Sequence, residues 1–116
     1  MPDPAAASPL TLAVDRTGNT AVVRCSGKLV SGVNDLLYLQ VKQLIPDCKR
    51  IVLDLKDLTH MDSMGLGTVV RLYVSAKSAG CDLELINLGK GILRLLRVTN
   101  LLSLLTTIGK TGVPYI

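Results

Sequence analysis

The chain has 116 residues, of which 48% are hydrophobic and 19% charged, with a mean hydropathy of +0.42 and a formal net charge of +4. This is the size of one domain, since halving it would leave two pieces too small for a good core. The composition excludes disorder of the whole chain, and the longest apolar runs, such as Leu36–Leu39, fall far short of the roughly 20 residues that a membrane-crossing helix needs.

Phe and Trp are absent and Tyr occurs three times, so the core must be aliphatic. Thirteen Lys and Arg against nine Asp and Glu permit an acidic partner without demanding one. The cations are scattered and no aromatic platform lies among them, which argues against nucleic-acid binding. Cys25, Cys48 and Cys81 form no C-x-x-C pair. They point to buried free thiols in a reducing compartment. Met1–Pro9 lacks the basic start and apolar stretch of a signal peptide and reads as a short frayed tail (1–9) before a single domain (10–116). A cytoplasmic protein without membrane insertion is expected.

Leu10, Leu12 and Val14 alternate with Thr11 and Ala13, the pattern of a half-buried strand. Gly18-Asn19 supplies a turn, and Ala21–Ser26 reads as the second arm of a hairpin that Gly27 ends. After a loop through Ser31 and Gly32, Asn34 is expected to cap a helix with Leu37, Val41, Leu44 and Ile45 on one face, stopped by Pro46. Ile51–Leu55 suits a central strand, followed by a loop over Lys56–Met61. Asp62-Ser63 starts a helix with the stripe Leu66, Val69, Val70, Tyr73 and Val74, and Gly80 stands at its end. Leu83–Asn87 is the next strand. Lys90–Val98 makes a short helix with Ile92, Leu95 and Leu96 inward, and Leu101–Ile108 adds a final amphipathic turn or two. The order β-β-α-β-α-β-α gives an α/β sandwich with a mixed sheet of four to five strands, the later ones parallel.

The segment Asp62-Ser63-Met64-Gly65-Leu66-Gly67 is the most unusual. It follows a strand and opens a helix, where free backbone N–H groups favour an anion. A phosphate on Ser63 would bring nearly two negative charges to the surface. The plainer reading is that Asp62 or Ser63 caps the helix. A nucleophile elbow would need Gly at position 61, which is Met, and the single His, His60, lies in the same segment. Gly109-Lys110-Thr111 copies the end of a P-loop, but position 104 is Leu where the loop needs Gly. No grouping of His, Cys and carboxylates has metal-ligand spacing. Asp54 and Asp57 are explained by turns as well as by catalysis. Lys90, Arg94 and Arg97 share one helix face, which reads as solvated or as a place for an acidic partner.

Taken together, Ile51-Val52-Leu53-Asp54-Leu55, Met61 through Gly67, Gly80 through Leu85 and Leu93 through Leu101 resemble the STAS domain. More narrowly, the chain looks like the stand-alone anti-sigma-factor antagonists of bacteria, over about residues 10 to 108 and in the family's order and spacing. The resemblance implies a STAS-like sandwich and a binding switch, not an enzyme, with no cofactor and no metal. It implies that the protein captures an anti-sigma factor, often itself a serine kinase, and so frees a sigma factor to act in transcription. Phosphorylation at the helix start would break that complex. The partner-facing surface implied by the resemblance comprises Gly27, Lys28, Leu29, Asp62, Ser63, Met64, Gly65 and Leu66.

One departure matters. The family motif runs Asp-Ser-Ser/Thr-Gly with the second hydroxyl phosphorylated, and that position is Met64 here. Either Ser63 has become the acceptor, or the domain docks with no phosphoswitch and Met64 serves as an apolar anchor. The second alternative fits a different role, a STAS docking subunit of a membrane transport complex. A nucleotide-binding or hydrolysing domain is a third reading, opposed by the lack of a phosphate-cradling glycine loop. An exposed first strand offers an edge for a homodimer.

Overall fold

In the computed structural model, which describes residues 9–99, an edge hairpin leads into two strand–helix–strand crossovers. The elements are β1 (Leu10–Thr17), β2 (Thr20–Leu29), α1 (Asn34–Leu44), a 3-10 turn (Ile45–Asp47), β3 (Arg50–Met61), α2 (Ser63–Ser78), β4 (Asp82–Ile86) and α3 (Lys90–Val98). The four strands form one sheet in the order β1-β2-β3-β4. β1 pairs antiparallel with β2, whereas β2–β3 and β3–β4 are parallel. This is the mixed α/β sandwich expected from the element order.

One face of the sheet carries the core. Ala21, Ile51 and Leu83 stand side by side in register, as do Val23, Leu53 and Leu85. Against them lie Leu37, Val41 and Leu44 of α1, Leu66, Val69, Leu72, Tyr73 and Ala76 of α2, and Ile92 and Leu96 of α3, all in one cluster. With no Phe or Trp, this interior is built mainly of Leu, Ile and Val, which fill space in few rotamers. The opposite face is polar where Arg50 holds Glu84 through two charge-assisted bonds of 2.9 and 2.6 Å. Cys25, Cys48 and Cys81 are free and buried, as expected. Burial pushes the Cys25 thiol up to about 12 and the Cys81 thiol to about 11, so both are chemically quiet in the folded chain.

Several elements differ from the sequence expectation. β2 does not stop at Gly27, and β3 does not end at Leu55 but runs on through Lys56–Met61. Two register shifts explain the missed extension: Arg24 and Ser26 stand opposite Asp54 and Asp57, and Gly27 and Lys28 opposite Leu58 and His60. Each gives β3 one extra residue, so its alternation breaks while its pairing with β2 continues. Gly27 has φ +99, and a Cβ there would overlap the Pro9 carbonyl oxygen.

Asn34 is not the cap of α1. Val33 holds that position without a side-chain bond, and Asn34 sits buried inside the first turn. Its amide donates to Thr68 Oγ1 of α2 at 3.0 Å, and that hydroxyl donates to the Met64 carbonyl at 3.1 Å. The stripe of α2 is also rotated: Leu72, Ala76 and Thr68 are buried, while Val74 is 54% exposed. The sequence is apolar on more than one side of α2, and packing selects the side.

Gly80, with φ +75, closes α2 as expected. Its N–H donates to Lys77 and that of Cys81 to Ala76, at 3.1 and 2.8 Å, in the double-bonded helix end that glycine favours. α3 has the expected bounds, with Ile92 and Leu96 buried. Among the described residues no helix is long and apolar enough to cross a membrane, and no three His, Cys, Asp or Glu gather as metal ligands. Most of the N-terminal tail, the Leu101–Ile108 segment and Gly109-Lys110-Thr111 lie outside the described residues.

Asn34→Ala is expected to lose about 1–3 kcal/mol, because it removes a buried hydrogen bond and leaves the Thr68 oxygen without its donor. Urea denaturation measures this, and a loss near zero would show that the α1–α2 tie is idle.

Candidate partner-docking site

The C-terminal ends of β2 and β3 bring Leu29 beside Met61, next to the start of α2. Asp62, in extended conformation, is the N-cap of α2. Its Oδ1 accepts the Gly65 N–H at 2.9 Å, and its Oδ2 accepts the Ser31 N–H at 2.9 Å. Its own N–H donates to the Leu29 carbonyl at 3.3 Å, and its carbonyl accepts from Leu66 N–H at 2.9 Å. One side chain thus ties the loop after β2 to the first turn of α2. The N–H groups of Ser31 and Gly65, in that order, hold the carboxyl below the usual carboxylate range.

Gly65 supports the same joint by having no side chain. A Cβ there would overlap the Leu29 carbonyl oxygen and lie 2.9 Å from Leu29 Cγ. The end of β2 therefore rests directly on the helix backbone. Gly67, one step further, has open space where its Cβ would be.

The residues expected at the partner surface do converge here, in two roles. Leu29, Gly65 and Leu66 are buried and form the floor. Ser63 is exposed and Met64 is 52% exposed, so these two form the outward step, with Asp62 half-buried beneath them. Lys28 is exposed at the rim beside His60, and Gly27 is half-buried with its carbonyl accepting from Thr59 Oγ1 at 2.9 Å. Ser63 and Met64 are successive residues of α2, about 100° apart around its axis, so their side chains face different directions. His60 bonds with Thr59 at 2.9 Å, an interaction local to its strand. Asp54 accepts from Lys56 N–H and from Asn87 Nδ2, both at 3.0 Å, which gives it a structural task.

Ser31 and Thr68 are parts of the site that sequence reasoning did not find. Ser31 contributes only a backbone N–H, and such a donor leaves no mark in the sequence. Thr68 carried a signal, being a polar residue on the inner side of an apolar helix face. Lys90, Arg94 and Arg97 stand on α3, where they line a concavity of about 730 Å³ with Gly91, Leu93 and Val98.

Residues 11–112 match the STAS domain. The chain belongs to the STAS domain family. Within that family it is similar to the anti-sigma F factor antagonist of Paenibacillus polymyxa, with 29% identity over 98 residues covering 83% of this chain and 84% of that protein. The unphosphorylated form of the anti-sigma factor antagonist SpoIIAA superposes with a TM-score of 0.70 at 19% identity, over 78% of this chain and 82% of that one. A sulfate transporter family protein from Wolinella succinogenes superposes with a TM-score of 0.69 at 17% identity, over 82% of this chain and 75% of that one. These structures share the STAS fold described above.

Two glycines two residues apart should respond oppositely to alanine. Gly65→Ala is expected to cost about 3 kcal/mol or more, because helix and strand backbones must separate. Gly67→Ala is expected to stabilise by about 0.5–1 kcal/mol through helix propensity alone. Equal effects in denaturation would show that the Leu29–Gly65 contact is not close. Asp62 gives a pH signature. Its folded pKa is lowered, so its contribution is complete above the ordinary carboxylate range and disappears as pH falls through the folded value. Asp62→Asn should flatten that acid limb of the stability profile, and an unchanged limb would assign it to other carboxylates.

Proposed function

We propose that this STAS protein is an anti-sigma-factor antagonist, a binding protein and not an enzyme, that captures an anti-sigma factor in the cytoplasm and so releases a sigma factor for transcription. The observation that carries this reading is the outward Ser63–Met64 step on a helix start anchored by Asp62. Similarity to the Paenibacillus polymyxa antagonist over more than four-fifths of both chains supports it. The partner proposed is an anti-sigma factor of the serine-kinase type.

Met64 sets the mode of docking. It is exposed, flexible and uncharged, and it has no hydroxyl to phosphorylate. The interface at this position is therefore constitutive, and Ser63 is the residue left to accept phosphate. A phosphate on Ser63 would have to be desolvated on docking, so it would weaken the complex.

The same observation favours a second reading. A fixed docking subunit of a membrane transport complex needs no phosphoacceptor, and the STAS fold occurs in the Wolinella succinogenes sulfate transporter family protein.

Affinity capture from native cells, with wild-type protein and Met64→Glu as paired baits, separates the readings. An anti-sigma factor held by wild type and reduced at least about tenfold by Met64→Glu is the expected result. Transporter subunits in its place would overturn the antagonist reading. Phosphate at high occupancy on Ser63, read by mass spectrometry of the same material, would overturn constitutive docking.

A further inference from the structure

α1 and α2 lie side by side and run in the same direction. Three contacts mark the seam: Asn34 with Thr68 at 3.0 Å, Tyr38 with Arg71, and Lys42 Nζ with Ser75 Oγ at 3.5 Å. The Tyr38 contact is unusual. The Arg71 guanidinium lies over the Tyr38 ring, 4.3 Å from its centroid, and Lys42 Nζ approaches the same ring at 5.9 Å. Two cations thus converge on one half-buried aromatic ring. Among the described residues the ion pairs are Arg24–Asp15 and Arg50–Glu84, so neither Arg71 nor Lys42 is neutralised by contact with a carboxylate. Asp35, in the first turn of α1, forms no such pair either.

This cluster is continuous with the docking step. Arg71 follows Met64 by two turns on the same side of α2, a distance of about 10 Å along the axis. On α1, Leu39 lies one turn before Lys42 and is 59% exposed. The surface therefore runs from an apolar anchor at Met64 to a pair of cations bordered by an exposed leucine. Stacking on Tyr38 fixes the guanidinium in place, which lowers the ordering cost of a two-pronged bond to a carboxylate.

We propose that this groove is the second half of the docking surface and receives an acidic segment of the partner. One Asp or Glu of that segment binds between Arg71 and Lys42 above Tyr38, and an apolar neighbour covers Leu39. Charge complementarity selects this occupant: two adjacent uncompensated cations repel one another, and a carboxylate relieves that repulsion. The inference rests on the antagonist reading, with the anti-sigma factor as the source of the acidic segment.

The test uses the full-length chain and the anti-sigma factor that wild type captures, with affinity measured at about 50 and about 300 mM salt. Arg71→Glu and Lys42→Glu are each expected to weaken binding about tenfold or more and to flatten its salt dependence, and Arg71→Lys to retain part of the affinity. Lys49→Glu, an exposed cation before β3, should bind as wild type. Melting curves confirm that the exposed substitutions leave the fold intact. An acid-to-lysine change in the partner that restores Arg71→Glu binding would locate the pairing carboxylate. Unchanged affinity of Arg71→Glu and Lys42→Glu, with Met64→Glu still impaired, would overturn the groove while leaving the antagonist reading in place. An equal loss with Lys49→Glu would reduce the effect to general steering and also overturn it. Failure of wild type to hold any anti-sigma factor would remove the antagonist reading, and the groove proposal with it. Arg71-dependent binding to phosphatidylserine vesicles, or a dimer that Arg71→Glu dissolves, would assign the groove to another occupant.

Discussion

The Asp62 carboxylate is the constraint on which the site depends. It accepts N–H groups from Ser31 and Gly65, which belong to segments 31 and 3 residues away in sequence. Because both oxygens are used, the loop after β2 and the start of α2 cannot shift independently. The contact between Leu29 and Gly65 works in the same direction by steric means, allowing β2 to lie against the helix backbone. Hydrogen bonding fixes the orientation and close packing fixes the separation. Ser63 and Met64 inherit a defined placement from both.

Below this joint, two side-chain contacts among the described residues join neighbouring elements. Asn34 and Thr68 connect α1 to α2, and Arg50 and Glu84 connect β3 to β4. An aliphatic core without Phe or Trp has little directional preference of its own, since Leu, Ile and Val attract one another in many arrangements. Specific polar pairs of this kind select one arrangement among those. The α1–α2 pair is especially consequential, because it sets the spacing of the two helices whose outer surfaces border the docking step.

Much of the architecture was legible from residue pattern. The hairpin turn at Gly18-Asn19, the strand character of Ile51–Leu55, the glycine end of α2 and the full extent of α3 all follow local rules that the structure obeys. The errors share a cause. The extension of β3 past Leu55 depends on pairing with β2, and pairing is a property of two segments, whereas pattern reads one. Asn34 looked like a cap because asparagine is good at that task; its actual partner lies 34 residues away. The rotation of the α2 stripe was hidden because Val70 and Val74 are as apolar as the residues that became buried. At the site, Asp62 and Gly65 were visible as a helix start, but the Ser31 N–H and the two-cation ring at Tyr38 arise only when the chain is folded.

Parallel pairing of β2 and β3 has a consequence for how this end of the molecule handles charge. Both strands finish at the same edge, so both following helices begin there, and the positive ends of two helix dipoles are gathered beside Asp62. Negative charge added at this edge meets a field that already favours it. The fold can therefore accept an extra anion at Ser63 without loosening its own joint. The cost would fall on a docked molecule, which would have to bring its own surface up to that charge and strip water from it. Charge placed at Ser63 would thus act on docking and leave the shape of the domain as it is.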